Sequence, residues 1–303
     1  MLDALATLAQ VALYAGVLCA CGSVFAAATL RAETAAADAL SSLARGGAVL
    51  TIIATLGSAI VLIYRLGGNF DEATISAVLM SSVGAAAGMR LSGAALLLMT
   101  SADQDDSFVR GMRLSYAALI AASFVFSGHA AAAGFGAGLI ASVHISVAGW
   151  WIASLVAIAR ACAASGPSSA SRIVQRFSAL AVTAIAALVL AGIILILALI
   201  ALPVLTVTPY LVTLAVKIGI ALLIFALAAF NKFRLTPRVL AGEVSALRAL
   251  RTAIHLELAL LGLVLIATAL LTTYNAPEEE GVSGEALARA SATGLESSGL
   301  EGW

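Results

Sequence analysis

Histidine is scarce in this chain, and that makes its placement informative. Of three, His129 and His144 flank a short glycine-rich turn between two apolar runs, on adjoining antiparallel segments. Imidazole is a borderline ligand that takes copper, zinc or iron. For one isolated histidine in an apolar run the better reading is a hydrogen bond to a neighbouring helix, or a cap. Two on adjoining segments point to a metal. His144 lies about 12 Å from the outer end of its run, so both belong to one end of the molecule. Met80, near the start of the third run, offers a soft thioether, although methionine more often fills space. Trp151, two turns below His144 on the same face, is expected to pack against or shield the site. Cys19 and Cys21 diverge by about 200° around a helix, so small-residue packing is the better reading for that pair. His255 follows Arg251 by one turn and reads as interfacial.

A second set of polar residues stands where charge is costly. Lys217 has no charged neighbour between Arg176 and Lys232, and Arg90 lies inside the run Ala73–Thr100. A charge at bilayer depth costs about 3 kcal/mol or more unless it meets a protein interior or a wet cavity. Glu257, about 9 Å inside the last run, must be protonated or paired. Lys217 or Arg90 is its expected partner, as a structural tie ahead of a proton relay.

The elements that must position these residues are membrane helices. The 303 residues are 62% hydrophobic and 11% charged, against about a quarter charged in soluble domains. Aromatic residues that favour strands are few, so an all-α integral membrane protein is expected, not a barrel. Windows of about 20 residues give eight spans: Ala4–Leu30, Gly46–Tyr64, Ala73–Thr100, Leu114–Ala131, Phe135–Ala159, Phe177–Leu202, Tyr210–Phe230 and Thr252–Tyr274. The third is longer than one crossing needs. It is expected to begin at the interface near Asp71 and turn inward around Gly84 and Gly88. Pro203 and Pro209 mark the turn between spans six and seven.

Arginines and lysines crowd the alternate connections after spans one, three, five and seven, while the other connections hold only Arg65. The positive-inside rule then places four basic loops in the cytoplasm and both termini in the periplasm. No cleavable signal is read at Met1–Asp3, which lacks a positive n-region. Residues 277–303 read as a disordered acidic tail, and Leu295–Trp303 resembles an expression remnant. Zero net charge argues against nucleic acid. P-loop, G-x-S-x-G, HExxH and Rossmann patterns are missing, so no enzyme is expected.

An internal repeat is also legible. Ser81 is followed at the ninth position by Arg90, and Thr208 at the ninth by Lys217. Arg110-x-x-Arg113 precedes span four as Arg248-x-x-Arg251 precedes span eight. Two parallel four-helix halves, residues 1–131 and 132–276, would follow, with Arg90 and Lys217 facing each other or a common cleft. Coincidence in an alanine- and leucine-rich chain is the competing reading.

The C-terminal half resembles the copper resistance D (CopD) family of bacterial inner-membrane proteins. The likeness runs through Arg176-Phe177-Ser178, Thr208-Pro209-Tyr210, Lys217, Asn231-Lys232-Phe233-Arg234-Leu235-Thr236-Pro237 and Glu257-Leu258-x-Leu260-x-Gly262. Ser127-Gly128-His129 and His144 with Trp151 look like further family elements. Leu211 and Ser81 depart from its usual glycine and threonine. The resemblance implies an inner-membrane protein that handles copper, importing it from periplasm to cytoplasm. It does not name the ligands; by residue type and placement His129, His144 and Met80 are the expected copper ligands, with Trp151 and Asn231 supporting them. A periplasmic copper carrier is an expected partner, beside membrane lipid. Two alternatives stay open: a b-type haem held by His129 and His144, and a subunit that only docks a copper chaperone.

Overall fold

The computed structural model describes residues 2–32, 34–67, 70–100, 106–164, 167–199 and 209–273, and all regular structure among them is helical. The helices are α1 (Leu2–Leu30), α2 (Thr34–Arg65), α3 (Glu72–Leu79), α4 (Ser82–Met99), α5 (Ser107–Ala122), α6 (His129–Ala132), α7 (Phe135–Ala164), α8 (Pro167–Leu199), α9 (Pro209–Phe230), α10 (Thr236–Leu240) and α11 (Val244–Thr273). Eight stretches are long and apolar enough to cross a membrane, one for each expected span.

The boundaries differ from expectation where polar chemistry intervenes. The third run breaks earlier than Gly84. Asp71 caps α3 through the Thr74 amide, and Ser81 caps α4 through the Gly84 amide at 3.2 Å. The Thr74 amide N–H, donated to its side chain, holds the exposed Asp71 carboxyl below its ordinary range. The fourth span tightens into a 3₁₀ turn over Ser123–Val125, so His129 opens a separate short helix instead of ending that span. Past Phe230 the seventh span continues through a π-turn, Asn231–Leu235, into α10. The Pro203 turn and residues 277–303 lie outside the described residues.

Between helices in lipid there is little hydrophobic drive, so close van der Waals contact and interhelical hydrogen bonds must hold the bundle. The glycines supply the contact. A Cβ on Gly22 would stand 2.1 Å from the Gly149 carbonyl oxygen, so only two glycines let α1 and α7 cross there. A Cβ on Gly47 would fall 2.4 Å from the Ala20 nitrogen, seating α2 on α1 in the same way. Trp150 adds a bond from its indole N–H to Thr29 Oγ1 at 2.8 Å. At the C-terminal end of α1, Arg31 takes a left-handed conformation (φ 46°), and Arg176 of α8 donates to the carbonyls of Leu30 and Arg31 at 2.8 and 3.0 Å. A guanidinium there suits the negative end of the α1 dipole. At the opposite end Arg65, the one basic residue of the sparse connections, pairs with Asp3 at 2.6 Å.

With α1 and α7 at the centre, α2 and α5 pack around α1 with α4 laid against α2 and α5, and α8 and α11 pack around α7. The arrangement is uneven. α2 packs along α4, whereas α8 and α9 do not pack along one another among the described residues; α9 lies chiefly against α11.

Candidate functional site

His144 sits half-buried in the N-terminal half of α7, a helix that packs against α8. Its ring lies against the Leu188 backbone, and its Cε1 would be 3.9 Å from a Cβ at Gly192 one turn further on. A larger residue at Gly192 would press on the imidazole. Nδ1 is sealed from solvent and has no hydrogen-bond partner. A buried imidazole nitrogen without a partner is uncommon, because a satisfied histidine is the cheaper arrangement. Lys217, on α9, stands close enough for its charge to act on that ring. It has no hydrogen-bond or ion-pair partner among the described residues.

His129 opens α6, and α6 packs against both α7 and α8, the same pair of helices that holds His144. The His129 side chain lies outside the described residues. Met80 is not part of this neighbourhood. It is 87% exposed at the α3–α4 junction, and α3 packs against α2 and α4. The break at Ser81, which the hydrophobic run concealed, turns it outward. Trp151 is 3% exposed and stacks edge-on against Phe177 at 5.1 Å, closing the core between α7 and α8 below His144. Its indole N–H is a further buried group without a partner. No three of the ligating residue types His, Cys, Asp and Glu gather among the described residues. Cys21 instead donates to its own helix at the Val17 carbonyl, 2.8 Å away.

The three buried charges do not form one network. Arg90 is 6% exposed and belongs to the N-terminal half. Its Nε donates to Ser123 Oγ at 2.8 Å, its Nη2 donates to Ser127 Oγ, and its guanidinium lies over the Phe124 ring at 4.8 Å. Phe124 in turn stacks on Tyr14 of α1. Helical side chains lean toward the helix N-terminus, so Arg90 reaches up to the 3₁₀ turn instead of across to Lys217.

Glu257 pairs with neither cation. Only 1% exposed, its Oε1 accepts a bond from Asn231 Nδ2 at 2.8 Å. Lys217 is fourteen positions before Asn231, about 20 Å along the helix axis. The expected tie between halves is therefore a tie between α11 and the π-turn. One residue on, Lys232 Nζ reaches α8 and donates to the Ser178 carbonyl and hydroxyl at 2.7 and 3.0 Å. Ser123, Ser127, Ser178 and Leu188 were not legible as partners. Each is identified only by the rotation of its helix.

Two family models match the chain: Copper resistance protein D over residues 171–271, and the Copper resistance protein D-like N-terminal domain over residues 1–139. The chain belongs to the copper resistance D family. It is thus a multi-pass membrane protein of a copper-resistance family. No curated protein and no solved structure matches it. The two matched ranges leave out most of α7, the helix on which the family's two portions meet in this protein and which carries His144 and Trp151.

Proposed function

We propose that this copper resistance D protein admits copper from the periplasmic side through His144, joined by His129, and passes it toward the cytoplasm. The observation that carries the reading is the His144 Nδ1 atom, buried and without a partner in the outer half of the bundle. Neutral imidazole nitrogen is a good donor for copper. A site with few donors and Lys217 nearby would hold its ion weakly. That suits an ion that must leave again, since conduction needs binding firm enough to enter and loose enough to release. Copper is here the cargo, not a resident cofactor.

The same reading takes both termini as periplasmic in the bacterial inner membrane, with the arginine-rich ends in the cytoplasm. It treats residues 1–131 and 132–276 as two parallel halves, supported by the packing of α2 and α5 about α1 and of α8 and α11 about α7. A periplasmic copper carrier would deliver at the α6–α8 end. Equilibrium dialysis of purified protein against copper tests the assignment. Wild type should retain copper, and the double variant His129→Ala/His144→Ala should lose it; unchanged stoichiometry and affinity would reject the site. A visible spectrum separates the haem alternative, which requires a Soret band.

A further inference from the structure

The bond between Asn231 and Glu257 leaves two oxygens stranded. Asn231 Oδ1 and Glu257 Oε2 are both sealed from solvent, and neither has a partner. An ionised carboxylate only accepts hydrogen bonds, as does an amide oxygen. With Nδ2 already given to Oε1 at 2.8 Å, an ionised Glu257 leaves two acceptors beside each other with no donor between them. A single proton resolves both vacancies. An acid O–H on Oε2 donates to Oδ1, and acid and amide close a ring of two hydrogen bonds.

No neighbouring group does this in the proton's place. Lys232 gives its ammonium to Ser178, and Arg238 pairs with Glu243. Arg234 on the π-turn and Arg251 and His255 on α11 are exposed. Toward α7 the ionisable groups are His144 on the outer half, the exposed Arg160, and Cys162, which is near Arg251. On α1 they are Asp3, which pairs with Arg65, Tyr14, Cys19 and Cys21, and on α9 Tyr210 and Lys217. None of these is a hydrogen-bond or ion-pair partner of the Glu257 carboxyl among the described residues.

We propose that Glu257 and Asn231 form a proton-binding site, in which one proton on Oε2 closes the acid–amide ring joining α11 to the π-turn after α9. Loss of the proton to water sets two acceptors against each other and loosens that seam. A π-turn is a common place for such a functional departure from the α-helix. The site is independent of the copper reading, and its test uses protein without metal.

Infrared spectroscopy of the full chain in lipid bilayers at neutral pH reads the proton directly. Exposed carboxyls are ionised there, so a protonated-carboxyl C=O band reports a buried acid. We expect that band in wild type, its loss in Glu257→Gln and its displacement in Asn231→Leu. Glutamine reproduces the neutral ring amide to amide, so Glu257→Gln should unfold within a degree or two of wild type, while Glu257→Ala unfolds several degrees lower. A wild-type spectrum without the band overturns the proposal, even if every variant fails to fold. So does a band that survives Glu257→Gln, or a Glu257→Gln variant as unstable as Glu257→Ala.

Discussion

Arg90 and Lys217 enter the bundle at like depth, each between two and three turns into a span, yet their surroundings are opposite. Arg90 has two serine hydroxyls, an aromatic face and helices packed on both sides. Lys217 stands on a helix held chiefly by α11 and, among the described residues, has no hydrogen-bond partner, with His144 within reach of its charge. A cation held by hydrogen bonds ties structure together; one without a partner among the described residues, beside an imidazole whose Nδ1 also has none, marks a place kept available. Buried polar atoms without a partner occur in both halves: Thr55 Oγ1 and Ser58 Oγ on α2, and His144 Nδ1, Trp151 Nε1 and the second oxygens of Asn231 and Glu257 in the C-terminal half, where alone they include an imidazole and a carboxyl.

The strongest way to break this division is at the crossing both halves share. Gly149→Leu drives a side chain into the α1 backbone near Leu18 and Gly22. A loss of about 3 kcal/mol or more is expected, at the upper end of overpacking costs, seen as a collapse of the folded fraction in detergent. Next comes the pair of cations. Arg90→Met forfeits hydrogen bonds from a charged donor, worth about 1.5–3 kcal/mol each, and should lower the unfolding temperature clearly. Lys217→Met removes a cation that no hydrogen bond holds among the described residues, so it should leave stability unchanged or raise it. Equal losses in the two variants would erase the contrast. A smaller loss than at Arg90 is expected at the tie between Lys232 and Ser178. Lys232→Met removes the bond to Ser178, worth about 1–2 kcal/mol, and should widen the distance distribution between spin labels placed on α8 at Leu190 and α9 at Val216. A distribution unchanged from wild type would show that the tie does not set the seam.

The spans were legible because long apolar runs bounded by arginines leave little else to read, and all eight reappear. Their ends were less so. Pro167, Thr34 and Val244 start helices well before the apolar windows begin, since amphipathic turns outside the membrane continue the same hydrogen-bond ladder. The π-turn at Asn231 leaves no hydropathy signal. Nor does the rotation that gives Glu257 a neutral amide instead of the lysine that charge matching favoured. Arg90 drew attention as a buried cation, but its partners are serines on a 3₁₀ turn, and an alanine-rich chain contains many serines with equal claim. Met80 stands apart from His144 for a local reason: the Ser81 cap starts a new helix just after α3, and the thioether is left exposed at the bend between them.

Copper binding at His144 remains the claim on which the functional account depends. Titration of the purified protein with copper, followed by X-ray absorption at the metal edge, measures it directly. The account predicts a low-coordinate site with imidazole nitrogen in its shell, lost in His144→Ala and retained in Lys217→Met. A copper shell without nitrogen from imidazole, or one unaltered by His144→Ala, would contradict it.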